Sequence, residues 1–222
     1  MKKRIILAAI LFASPVFAQE MKLVPALPRP GATEILDNAR GRVWDVIYPP
    51  GMPTGMHRHP TDFVGVELVD TMLKVTTPDG KVSTNPIRRG SIYMLQQGLT
   101  HIEENVVGQP QRNSILIELK GERPDGKPVA PGFTAGKKVA DNERVMLWDA
   151  TWTAGQPAQP FAQTHDIFLV PIDAGVLEIT APGEATRTLP LSGGMVVFLP
   201  ARAQRSIRST QGMVRAAVVE LK

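Results

Sequence analysis

The chain is written in short apolar or alternating runs, each closed by Gly, Pro, Asn or Asp. Val43 to Tyr48, Phe63 to Val69, Met72 to Thr77, Gly90 to Leu95 and Ser114 to Leu119 are predicted as strands. Thr77-Pro-Asp-Gly80 is a turn between two of them. Leu147 to Trp152, Ile167 to Ile172, Val176 to Thr180, Met195 to Leu199 and Met213 to Leu221 continue the series. Beyond residue 18 no segment keeps a 3.6-residue period, so the fold is expected to be all-β. Many short strands separated by Gly/Pro turns imply a sandwich or barrel.

The strand pattern occurs twice. Asp37-Asn-Ala-Arg-Gly-Arg-Val-Trp-Asp45 returns as Asp141-Asn-Glu-Arg-Val-Met-Leu-Trp-Asp149, an offset of 104 residues. The same offset carries Gly51 onto Gly155, Asp62 onto Asp166, Leu73 onto Leu177 and Gly90 onto Gly194. Near the ends, Glu118-Leu-Lys120 returns as Glu220-Leu-Lys222, an offset of 102. Two copies are too few for a solenoid, so each is expected to have its own core. The Pro- and Gly-rich stretch from Gly121 to Lys138 excludes a helix or a central strand and joins them. The expected domains are residues 19–125 and 126–222.

Residues 1–18 stand apart: Met-Lys-Lys-Arg, an apolar run from Ile5 to Phe12, then Ala13-Ser-Pro-Val-Phe-Ala18. A charged start, an apolar stretch too short to span a bilayer and small residues before a cut make a Sec-type signal peptide, cleaved after Ala18. A periplasmic or secreted protein is expected, with no membrane association after cleavage. The segment holds three of the 25 basic residues and no acid, so the formal charge falls from +4 to +1. A near-neutral chain without a Lys/Arg run has no electrostatic footprint for nucleic acid. The absence of cysteine excludes disulfides, thiolate metal sites and a cysteine nucleophile.

Three of the four histidines carry the chemistry. His57 and His59, in Gly55-Met-His-Arg-His-Pro60, share one face of a strand. His101, from another strand, would complete a triad of imidazoles, which suit zinc, copper, iron and nickel. The spacings are specific. Gly90, five residues, Gln96-Gln97-Gly98, two residues, His101, three residues and Asn105 resemble the second motif of the cupins, with Gln96 in place of Pro. Gly51 and His57-Arg-His59 resemble the core of the first. With the repeat, the chain is similar to the bicupins: two tandem jelly-roll (double-stranded β-helix) barrels.

The resemblance is incomplete. Phe63 and Val64 occupy the places where the first motif expects glutamate. What remains, His57, His59 and His101, resembles the three-His cupins, which include some dioxygenases. The family implies one divalent transition metal, whether zinc, copper, iron, manganese or nickel. Of two nearby acids that could supply the missing carboxylate, Glu103 has the inward parity of His101 and is favoured; it, or a hydroxide on the ion, is the candidate catalytic base. Asp62 is read as structural, because Asp166 repeats it where the histidines are gone. Phe161, Gln163 and Arg205 replace His57, His59 and His101 in the second copy, which is expected to keep its fold without a site. His165 is read as a loop histidine, Arg58 as outward, and Trp44 and Trp148 as core. Met52 and Met56 are read mainly as core filler, or else as residues of the pocket mouth or soft ligands to copper.

These readings lead to an exported metal-binding bicupin with a small polar or chelating substrate or ligand. The expected activity is a dioxygenase, or an isomerase or lyase on a sugar acid. The alternative is a non-catalytic periplasmic protein that binds a metal or a small ligand. A homodimer is compatible with the sequence.

Overall fold

The computed structural model describes residues 23–121 and 130–222. The expected signal peptide and the expected domain boundary between residues 125 and 126 lie outside the described residues. The first copy contains β1 (Val24–Pro25), β2 (Ala32–Asp37), β3 (Gly41–Tyr48), β4 (His57–Arg58), β5 (Phe63–Glu67), β6 (Thr71–Thr76), β7 (Val82–Ile87), β8 (Ile92–Leu95), β9 (Thr100–Asn105) and β10 (Arg112–Leu119). The second contains β11 (Lys137–Asp141), β12 (Val145–Thr153), β13 (Gln159–Gln163), β14 (Ile167–Pro171), β15 (Gly175–Thr180), β16 (Arg187–Leu191), β17 (Val197–Leu199), β18 (Arg202–Gln211) and β19 (Met213–Leu221). Among the described residues there is no helix, and hence none able to cross a membrane.

The strands form four sheets, ordered β1-β4-β9-β6-β7, β2-β3-β10-β5-β8, β11-β12-β19-β14-β17 and β13-β18-β15-β16. Every pairing stays within one copy. The repeat is kept residue by residue. Gly41 faces Leu119 as Val145 faces Leu221, and the β2–β3 register shift between Glu34 and Leu36 recurs between Lys138 and Ala140. Two expected strand starts move inward. Gly90 and Met195 precede their strands, because Gly90 and Gly194 turn the chain at φ +83° and +82°. Both conformations are strained for any residue with a Cβ.

Strand alternation sorts the apolar side chains into three bodies. Trp44, Val46, Tyr48, Phe63 and Leu116 point into the first barrel with Leu27. The second barrel is filled by a larger set that includes Phe133, Trp148, Trp152, Phe161, Ile167 and Leu177. Between them, Val43, Val64, Ile115 and Ile117 of the first copy meet Val145, Phe168, Val170 and Val219 of the second. The barrels therefore pack sheet to sheet through the outward positions of their central strands. Pairs related by the repeat cross this interface. Arg40 binds Asp166 (3.0 Å) and donates to the Lys222 carbonyl, while Arg144 binds Asp62 (3.6 Å) and donates to the Lys120 carbonyl. That reciprocity is the signature of an isologous contact.

Candidate metal centre

His57 and His101 are direct partners on the antiparallel β4–β9 pair, and Arg58 pairs with Thr100. Alternation turns both histidines inward and leaves Arg58 exposed. His59 continues the same edge: its amide donates to the Leu99 carbonyl at 2.9 Å, and its carbonyl accepts from Gly98 N at 2.9 Å. The turn that makes this possible runs through Gly98 at φ +89°. Asp62 holds that turn, accepting the Gln97 amide at 2.8 Å, and Asp166 accepts the Ala201 amide at the same distance. Asp62 thus has the same backbone task in the barrel with the histidines and in the barrel without them.

The three imidazoles are 2–5% exposed, and a ring nitrogen of each lies within 4.8 Å of one on the other two. His59 Nε2 and His101 Nε2 are 3.2 Å apart. Two nitrogens sharing one ion at about 2.0–2.1 Å would be separated by roughly 2.9 Å at a right angle and 3.4 Å at the tetrahedral angle, so the spacing fits a common ligand sphere. His57 is pre-oriented for that sphere. Its Nδ1 lies 3.0 Å from the Gly55 carbonyl, which can only accept, so the proton sits on Nδ1 and leaves Nε2 with a free lone pair. Burial, above all, lowers the pKa of each ring, that of His59 to about 4 with help from His101 and His57. The rings are neutral near pH 7, the form that ligates. Phe63, where the motif expects glutamate, packs its ring on His59 with centroids 5.1 Å apart, while Val64 faces the other barrel.

Glu103 points inward, 4% exposed, but stays outside the 4.8 Å cluster. Its carboxylate accepts from Arg112 at 3.0 Å and from the Tyr48 hydroxyl at 3.0 Å. Burial pushes its pKa up, yet Arg112, His101 and Arg29 outweigh that and hold it at about 2. A carboxylate so stabilised is a weak proton acceptor.

Arg112 is the centre of a network that sequence patterning did not reveal. The guanidinium is 1% exposed and donates to both oxygens of the fully buried Glu67. Tyr93 and Ser114 donate to the same carboxylate at 2.7 Å each. Gly65 leaves room for Tyr93, since a Cβ there would lie 2.2 Å from the phenol ring. The repeat held the signal. Glu67, Tyr93, Glu103, Arg112 and Ser114 align with Pro171, Val197, Ile207, Val214 and Ala216, so one interior is polar where the other is apolar.

A cleft of about 660 Å³ opens beside the triad, lined by residues 24–31 and by Tyr48, Met52, Thr54 and His57 among others. Met52 belongs to this mouth and not to the core, being 64% exposed. In the second barrel Phe161 pairs with Arg205 as His57 pairs with His101, and no ligating cluster forms there among the described residues. His165 lies in the loop between β13 and β14, and its Nδ1 is 2.8 Å from the Glu220 carboxylate, which also receives the Gly132 amide. Trp44 and Trp148 are both buried.

No protein-family model matches the chain. It is 33% identical over 93 residues to the β-alanine degradation protein BauB of Pseudomonas aeruginosa, covering 42% of this chain and 94% of that protein. A solved cupin domain from Bordetella pertussis Tohama I is 33% identical over 43% of this chain and 99% of its own, with a TM-score of 0.37. The cupin 2 conserved barrel domain protein from Leptotrichia buccalis is 12% identical and superimposes over 86% of this chain and 88% of its own, with a TM-score of 0.52.

Proposed function

Since the chain belongs to the family of BauB and has the cupin fold, we propose that it is an exported bicupin carrying one divalent transition metal in its first barrel. Residues 19–125 and 126–222 are its two domains, residues 1–18 its signal peptide, and the periplasm or exterior its compartment. The convergence of His57, His59 and His101 as neutral, buried imidazoles, with the ring of His57 fixed by Gly55, carries this reading.

A metal held there supplies Lewis-acid polarisation, or redox chemistry if the ion is redox-active. The chain supplies the rest. Gly55 fixes the His57 ring, Phe63 closes one side of His59, and the cleft admits a small polar or chelating molecule. Three neutral ligands leave the ion's charge uncancelled and favour a substrate that brings its own donor. The name of BauB, which concerns a small amino acid, is compatible with that size and polarity. Dioxygenation, and isomerisation or lysis of a sugar acid, are the reaction classes under this reading.

The second reading, a non-catalytic binder of metal or small ligand, is favoured by Glu103. Its carboxylate is held by Arg112 and Tyr48 and so is poorly suited to take up a proton. Elemental analysis of protein isolated from its own compartment tests the metal. About one equivalent per chain is expected, and under about a tenth of an equivalent overturns the proposal. Turnover of dioxygen or of sugar acids by the loaded protein would separate the two readings.

A further inference from the structure

Arg29 is a cation placed in a largely buried position, with one long ion pair and, among the described residues, no side-chain hydrogen bond to hold it. Its side chain is 16% exposed, and its Nε is buried with no hydrogen-bond acceptor. The guanidinium lies over the Tyr48 ring at 4.2 Å. The nearest carboxylate, Glu103, is 3.8 Å away, an ion pair too long for a hydrogen bond, and it accepts instead from Arg112 and Tyr48. Arg29 and His57 line the same cleft.

The second barrel shows what fills this place when no ligand is needed. By the 104-residue offset Arg29 corresponds to Phe133, Tyr48 to Trp152 and His57 to Phe161. The β2–β3 and β11–β12 registers keep that offset four residues further on, where Thr33 faces Asp45 and Lys137 faces Asp149. Phe133 is 1% exposed and packs edge-on against Phe161 at 5.1 Å and Trp152 at 6.4 Å. One copy closes its barrel mouth with its own aromatic ring. The other puts a guanidinium there, beside an open cleft with more apolar than polar wall, including Val24, Ala26 and Leu27.

We infer that Arg29 is the anchor for the carboxylate of a small organic acid whose apolar part lies along residues 24–27 and whose other end reaches the His57 side of the cleft. Charge balance points the same way. Arg29 and Arg112 are offset by Glu67 and Glu103, so an ion among three neutral imidazoles would lack a counter-charge, and a buried, uncompensated charge is costly. That last argument rests on the proposed metal; the orphaned Nε and the Phe133 comparison do not.

Calorimetric titration with butyrate, and with its uncharged isostere butyramide, tests the inference. Wild type, Arg29→Met and Arg29→Lys are compared, each with and without bound metal. The inference expects wild type to bind butyrate in preference to butyramide. Arg29→Met is expected to weaken butyrate about 10- to 100-fold, the range for losing a charged hydrogen bond, and Arg29→Lys to recover part of that. Metal content and melting temperature should stay at wild-type values in Arg29→Met. Equal binding of butyrate and butyramide, or an unchanged butyrate affinity in Arg29→Met, would overturn it. A wild type that takes up no metal defeats the metal proposal alone, and the metal-free titrations then decide the role of Arg29 by the same comparison.

Discussion

Arg112 grips both carboxylate oxygens of Glu67, and neither residue is more than 1% exposed. Two ions taken so far from water are held by each other and by Tyr93, Ser114 and Glu103. Removing one partner leaves the others charged in a place that solvates them poorly. Arg112→Val is expected to cost about 3–5 kcal/mol in urea unfolding. Adding Glu67→Leu, Tyr93→Phe and Glu103→Ile should recover most of that loss, since buried ionic clusters replaced whole by apolar groups are often neutral or stabilising. Recovery would show that the polar interior is retained for the site and not for stability.

Transition metal should raise the melting temperature of the wild type. At a free concentration of 100 Kd the gain is about 2.7 kcal/mol, or roughly 5–10 °C for a chain of this size. His101→Ala should melt cooperatively, hold no metal and show no shift on metal addition. A metal-dependent shift that survives in His101→Ala would place the ion elsewhere.

Acid should destabilise the metal-free protein between about pH 6.5 and 4. His59 titrates at about 4 in the fold against 6.5 when unperturbed, so in that window the unfolded chain binds the proton and the folded one does not. Stability then rises with pH across the window and falls as pH drops through it. His57 and His101 are lowered too and add to the slope. His59→Phe should flatten the dependence of the melting temperature on pH, and an unaltered slope would show that the buried rings are not its source.

Gly65 and Tyr93 form a size-matched pair. Gly65→Ala would drive a methyl into the phenol ring and lift its hydroxyl from Glu67, at a cost of about 1–3 kcal/mol. Tyr93→Val, the residue of the second barrel at Val197, should remove the clash. A double-mutant cycle should therefore show coupling well above the few tenths of a kcal/mol seen for independent sites.

The two repeat-related arginines at the interface differ in exposure: 11% for the side chain of Arg144 and 39% for that of Arg40. Arg144→Ala is expected to cost about 1–3 kcal/mol, because it leaves the buried Asp62 carboxylate with less compensation. Arg40→Ala should cost under about 1 kcal/mol, as exposed pairs do. Equal losses in thermal unfolding would mean that exposure does not govern this contact.

The apolar strands were legible in the sequence because burial on one face writes an alternating pattern. The polar strands carry no apolar run: β9 was placed only through its histidine and the parity of Glu103 with it, and β18, which reads Arg-Ala-Gln-Arg-Ser-Ile-Arg-Ser-Thr-Gln, was not placed at all. The histidine triad could be read because its spacing is tied to a turn at Gly98. Arg112 and Glu67 could not, since a charged residue at a strand end is read as solvated unless something shows which way it faces. Arg29 lies in a proline-rich stretch with no period, and only the fold brings its guanidinium over the Tyr48 ring. The missing motif glutamate was visible, but that Phe63 would lie against His59 followed only from the barrel.

Arg40 and Arg144 reach across to Asp166 and Asp62 as subunits of a symmetric dimer would, yet both belong to one chain. Two separate barrels joined this way would part on dilution, and each would expose the Val64, Ile117 and Phe168 face to water. Tethered partners meet at an effective concentration fixed by the linker, however dilute the solution. The first barrel, which holds Arg112, Glu67 and Glu103 beside its apolar core, therefore keeps its well-packed neighbour even for a single molecule.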